Sequence, residues 1–131
     1  MKPYFISVGS SRDERGILEF AEYPGHLPFE PKRAFVISQV PGTSVRGQHA
    51  HSTTSQLLMC VSGSMTARFI SESHENSFEL NPSSGWLLVP PMNFGELRNF
   101  SSDCVLVVLA SEQYNPDEYI SDFEEFRRRL H

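Results

Sequence analysis

The sequence predicts an all-β domain, an antiparallel sandwich or barrel finished by one C-terminal α-helix. Two observations predict the sheets. Turn signals recur about every eight to twelve residues: Gly9-Ser10, Tyr23-Pro24-Gly25, Pro41-Gly42, Gly63-Ser64, residues 81–85 and Pro90-Pro91. Between them lie short runs rich in β-branched and aromatic residues. In chain order these runs are 17–23, the weakest, then 34–40, 56–61, 65–70, 77–80, 85–89 and 104–109. Residues 65–70 mostly alternate apolar and polar, which predicts one wet face. Residues 104–109 are apolar on both faces, which predicts a strand covered twice.

The third observation is a change of period near the end. Asn115-Pro116-Asp117-Glu118 has the order of an N-cap, a first-turn proline and two acids at the positive end of a helix dipole. Tyr119, Phe123, Phe126 and Leu130 follow at helical spacings, and Arg127, Arg128 and Arg129 lie at the negative end. This predicts one amphipathic helix resting on the β-body or on a partner subunit.

Length and charge narrow the function. A chain of 131 residues makes one domain, 1–131, and area scaling buries about two-thirds of its unfolded surface. Such a core needs no disulfide or metal to hold it. Eleven basic residues against sixteen acidic ones give a net charge of −5, so no surface is expected to track a nucleic acid. The longest apolar runs, 57–61 and 104–110, fall far short of the ~20 residues that span a bilayer, so no membrane partner is expected. The opening residues carry too short an apolar stretch for a secretory signal. Cys60 and Cys104 sit inside apolar runs and read as buried thiols of a reducing, cytoplasmic protein.

The sharpest chemical feature is Gly47-Gln48-His49-Ala50-His51. Histidines two apart in an extended segment point to the same side, where two imidazoles can bind a metal or move protons. Gln56 and Gly63 complete a pattern, G-x-H-x-H-x4-Q-x6-G, that resembles the first motif of the cupins, small jelly-roll β-barrels. Metal-binding cupins usually carry Glu at the Gln56 position and a further histidine in a second motif. Here residues 85–98 keep the glycine and prolines of that motif, yet no histidine lies between 85 and 100. Two imidazoles and an amide are a poor set for zinc or iron, so no metal and no cofactor is expected. Arg46 precedes the histidines, Arg15 lies near the start and Lys32-Arg33 opens a strand; arginines near a pocket are candidates for phosphate. Glu96 is a candidate to hold a histidine tautomer.

Over nearly its full length the chain resembles the cupin-type sugar-nucleotide 3,4-ketoisomerases that act on dTDP-4-keto-6-deoxyglucose. The matching pieces are Asp13-x-Arg15-Gly16, Pro28-Phe29-x-x-Lys32-Arg33, Arg46-Gly47-x-His49-Ala50-His51, Gln56, Gly63-Ser64, residues 100–104, Leu109-Ala110-Ser111, Tyr114, Asp117-x-Tyr119-Ile120 and Phe126. The resemblance implies a single jelly-roll barrel whose reaction moves a ketone from carbon 4 to carbon 3 through an enediol(ate), without a metal. It implies His49 and His51 as acid/base residues, and Arg46, Arg33, Arg15, Gln56 and Glu96 as substrate-binding ones. It also implies a dTDP-linked keto-deoxy sugar as ligand, a homodimer that exchanges N-terminal strands, and a product used for 3-amino-3,6-dideoxyhexoses of bacterial surface polysaccharides.

Two positions depart from the family pattern. Phe35 stands where a tyrosine is common, and Gly95 where a protonatable side chain is usual. Arg15 points to an axial carbon-4 product, while Gly95 matches neither product type. The departures motivate one alternative, an isomerase or epimerase on a related nucleotide sugar; a non-catalytic sugar-nucleotide-binding cupin is another. A metal-dependent cupin is a further one.

Overall fold

The computed structural model describes residues 1–130. The chain starts with β1 (Tyr4–Phe5) and a hairpin of β2 (Gly9–Asp13) and β3 (Gly16–Phe20). The body follows as β4 (Arg33–Ser38), β5 (Arg46–His51), β6 (Gln56–Ser62), β7 (Met65–Ile70), β8 (Glu75–Leu80), β9 (Leu87–Val89), β10 (Phe94–Arg98) and β11 (Val105–Ala110). A 3-10 turn (Pro116–Glu118), β12 (Tyr119–Ile120) and α1 (Phe123–Arg129) complete it. The fold is all-β with a C-terminal helix, as the turn spacing predicts.

Two antiparallel five-stranded sheets face each other, in the orders β1-β9-β6-β11-β4 and β12-β5-β10-β7-β8. Inward residues of both meet in one core that includes Leu58, Met65, Phe69, Leu80, Leu106 and Val108. Alternation decides what goes in: on β11, Leu106, Val108 and Ala110 are buried while their neighbours are half-buried. The double cover expected for this strand exists at one end only. There Leu109 joins Leu57, Leu88, Trp86 and Leu27 on the outer face. At the other end Val36, register partner of Val107, stays 60% exposed. The wet face expected for β7 is polar but covered: Thr66 donates to Glu79 (2.7 Å), and Arg68 lies between Glu75 and Glu96.

The helix begins later than its sequence signals place it. Asn115 does cap a turn, accepting from the Asp117 amide at 3.0 Å, but that turn is a single 3-10 one. The chain then extends, because Tyr119 and Ile120 pair with His51 and Ala50 of β5. Asp122 restarts the coil by accepting from the Glu124 amide at 2.9 Å. Phe126 is fully buried against Ala50, Phe94 and Ile120 on the outer face of the second sheet. Burying that ring contributes roughly 1.5–3 kcal/mol. Among the described residues no helix is long and apolar enough to cross a membrane.

Candidate active site

The site grows from an irregularity in β5. Residues 46 and 49 are three apart, so a regular strand would turn their side chains to opposite faces. The register against β10 skips one residue, pairing Gly95 with His49, Glu96 with Gly47 and Leu97 with Arg46. Gln48 is the extra residue, and it follows Gly47 in positive-φ backbone, at 60° and 85°. Glycine is required at 47, because a Cβ there would lie 3.0 Å from the Gly95 carbonyl oxygen. The bulge therefore brings Arg46 to the face that carries His49 and His51.

That face opens into a cavity of about 280 Å³ between the two sheets. Arg46, His49, His51, Thr54, Gln56 and Tyr119 supply much of its polar lining, and Phe35, Ile37, Leu58, Phe69 and Val108 face them as an apolar wall. The imidazoles meet edge to face with centroids 5.0 Å apart. Tyr119, register partner of His51, lays its ring 4.9 Å from His49 and 4.5 Å from His51.

The two histidines are held differently. His51 is buried, and its Nδ1–H donates to Oε1 of Glu118 at 2.5 Å. The carboxylate also accepts from Thr54 Oγ1 (2.9 Å), from the Thr53 amide (3.2 Å) and from Thr53 Oγ1 (3.4 Å). Burial pushes the Glu118 carboxyl up, but the hydrogen bonds from His51, Thr53 and Thr54 outweigh it and hold the carboxyl below its ordinary value. Among the described residues no carboxylate bonds to His49. Its Nδ1–H donates to the Gly47 carbonyl at 3.1 Å. Burial first, and the neighbouring His51 second, push its pKa below the ordinary 6.5. Since a carboxylate and a carbonyl only accept, both rings present an Nδ1 proton to them and turn Nε2 the other way.

The other candidate residues divide. Arg46 and Gln56 line the cavity with the histidines. Arg33 lies beside it, its guanidinium 5.4 Å from the Phe35 ring and 5.7 Å from the Tyr114 ring, and its buried Nε meets no partner among the described residues. Arg15 is remote in this chain: it sits in the exposed hairpin, paired with Asp13 at 2.6 Å. Glu96 does not reach the cavity or a histidine, because Arg68 (3.2 Å) and Arg98 (3.4 Å) hold it elsewhere on β10. Sequence reasoning missed Glu118, Thr54 and Tyr119 as site residues. Glu118 lies in the x of Asp117-x-Tyr119-Ile120, and that pattern was its one signal.

The family model described as FdtA: WxcM-like, C-terminal matches residues 1–131. The chain belongs to that family. A relative from Aneurinibacillus thermoaerophilus, a TDP-4-oxo-6-deoxy-alpha-D-glucose-3,4-oxoisomerase, is 34% identical over 118 residues, 90% of this chain and 85% of its own. A 3,4-ketoisomerase structure from Helicobacter canadensis is 34% identical, with a TM-score of 0.92, covering 99% of this chain and 98% of that one. The third is a histidine-to-asparagine variant of the 3,4-ketoisomerase QdtA from Thermoanaerobacterium thermosaccharolyticum, in complex with TDP-4-keto-6-deoxyglucose. It is 31% identical, with a TM-score of 0.92, and the match covers 98% and 94% of the two chains. These three relatives are all 3,4-ketoisomerases or 3,4-oxoisomerases, matched over nearly the full length, and the chain is an enzyme of that class.

Proposed function

We propose that this chain moves the ketone of a TDP-linked 4-keto-6-deoxy sugar from carbon 4 to carbon 3 by histidine acid/base catalysis, without a metal. The observation that carries the reading is the buried His51–Glu118 pair at 2.5 Å, beside a second, carboxylate-free histidine in one cavity. Nε2 of His51 removes the carbon-3 proton, and Glu118 stabilises the resulting imidazolium. The electron pair moves toward carbon 4 and leaves an enediolate. His49 rests neutral, so its Nε2 takes the proton from the carbon-3 oxygen, becomes an imidazolium, and returns to neutral by delivering that proton to the carbon-4 oxygen. His51 then returns its proton to carbon 4, and the ketone stands at carbon 3. Arg46, with Arg33 beyond Phe35, suits the pyrophosphate, and that remote binding energy positions the sugar.

The reading includes a second copy of the chain. Hairpin β2–β3 is exposed along its length, with Leu18 63% and Ile17 56% exposed. Val36 and Val61 on the body are also exposed apolar side chains. Exchange of the hairpins between two chains would cover apolar surface on both and carry Arg15 to a second copy.

Proton NMR of TDP-4-keto-6-deoxyglucose with the protein in deuterated water tests the reaction. Loss of the carbon-3 proton signal with growth of a 3-keto product is expected. Binding without exchange overturns the catalytic reading. One observation favours a related sugar instead: a Cβ at Gly95 would lie 2.5 Å from Phe69 Cε1, so an aromatic ring occupies this wall. A panel of nucleotide sugars in the same assay decides between the two.

A further inference from the structure

We infer that Asn93 is a specificity residue whose side-chain oxygen accepts a hydrogen bond from the carbon-2 hydroxyl of the bound sugar; this rests on the isomerase reading above. Asn93 is 4% exposed and lines the histidine cavity. Along β10, Gly95 and Leu97 face that cavity while Phe94 turns away into the cluster around Phe126, so alternation puts residue 93 on the cavity side. The amide is fixed end for end. Nδ2 donates to the carbonyls of Pro90 (3.0 Å), Met1 (3.0 Å) and, more distantly, Pro91 (3.4 Å). Carbonyls only accept, so the nitrogen belongs there and Oδ1 takes the other direction. Oδ1 is buried, and no described residue donates to it. The preceding residue, Met92, has φ 63° and donates its amide to the His51 carbonyl at 2.8 Å, which locks Asn93 beside the reacting histidine.

An unmatched buried acceptor of this kind selects a ligand that brings a donor. Which hydroxyl supplies it follows from the reaction. The carbon-3 hydroxyl becomes a carbonyl and the carbon-4 carbonyl becomes a hydroxyl, so either would face Oδ1 as a second acceptor at one end of the reaction. The carbon-2 hydroxyl stays a donor throughout. Its contact binds substrate and transition state alike, and losing it raises KM with little change in kcat.

The test compares kcat and KM for TDP-4-keto-6-deoxyglucose and its 2-deoxy counterpart, using wild type and Asn93→Ala. Wild type is expected to lose about 10- to 100-fold in kcat/KM on the 2-deoxy sugar, mainly through KM. In N93A the two sugars are expected to differ by less than about threefold. Equal discrimination by both proteins overturns the inference, as does a wild type indifferent to the hydroxyl. A wild type inactive on the parent sugar sinks the isomerase reading itself. Should N93A fail to fold, a structure of the wild-type complex decides: a sugar oxygen within about 3.2 Å of Oδ1 supports the assignment, and a C–H or a retained water there overturns it.

Discussion

The two ends of the chain meet the same body in opposite ways. The C-terminal strap, residues 115–130, adds two residues of strand beside β5, puts Glu118 beneath His51 and Tyr119 against both imidazoles, and buries Phe126 completely. The N-terminal hairpin is bonded strand to strand within itself, and its residues are almost all exposed. Both segments carry apolar side chains, but only the strap finds a surface of its own chain to cover them. The strap thus finishes the site from within its own chain, whereas the hairpin, in the proposed reading, would finish it on another copy.

The contrast between the two ends is most sensitive at the strap's carboxylate. Glu118→Gln keeps the shape and removes the charge that supports protonated His51, so kcat is expected to fall by about 10²–10⁴-fold in the NMR assay. A variant with near wild-type kcat would reduce the strap to a structural role. Next is Phe126→Ala, which should cost about 3–5 kcal/mol in urea unfolding. In the hairpin, Leu18→Ala should lie within about 0.5 kcal/mol for the isolated chain. A hairpin variant as costly as the strap variant at every protein concentration would erase the contrast. Third, Ile17→Asp with Leu18→Asp should convert a dimer into a monomer by light scattering while β-sheet circular dichroism is kept; an unchanged dimer removes the hairpin from the interface.

The smallest effect is on pH. The folded pKa of Glu118 is lowered, so its stabilisation is complete above the ordinary 4.5 and is lost as pH falls through the folded value. His49, also lowered, binds fewer protons folded than unfolded below 6.5, so stability declines there too. Melting temperature should therefore drop on acidification in two steps, and Glu118→Gln should weaken the lower one. Asp13 in the hairpin is lowered as well, by hydrogen bonds from Arg15, but in open solvent its contribution is screened.

What could be read from the sequence follows from how long each signal runs. Strands of six or seven residues with alternating or wholly apolar patterns, such as Met65–Ile70, are legible because five or more side chains repeat one message. The histidine pair is legible for the same reason of parity. Arg46 is legible only through its neighbourhood and the family pattern: alternation alone turns it away from His49, and the bulge that reverses this rests on Gln48, whose residue type says nothing of a positive φ. Glu118 was hidden by a true signal read too far. Asn115 and Pro116 do start a turn, but β12 is two residues long and has no period to announce itself. β10 was hidden by Gly95, which looks like a turn residue and instead makes room for the Phe69 ring.

The bond between His51 and Glu118 joins positions 67 residues apart, and its acceptor comes after every long strand. Translation proceeds at roughly 5–20 residues per second, N-terminus first. A growing chain that has reached residue 110 already holds both histidines and both main sheets, yet nothing beneath His51 to steady a proton. On the proposed mechanism, the group that supports the reacting histidine is thus among the last to leave the ribosome, and a chain ending before residue 118 lacks it.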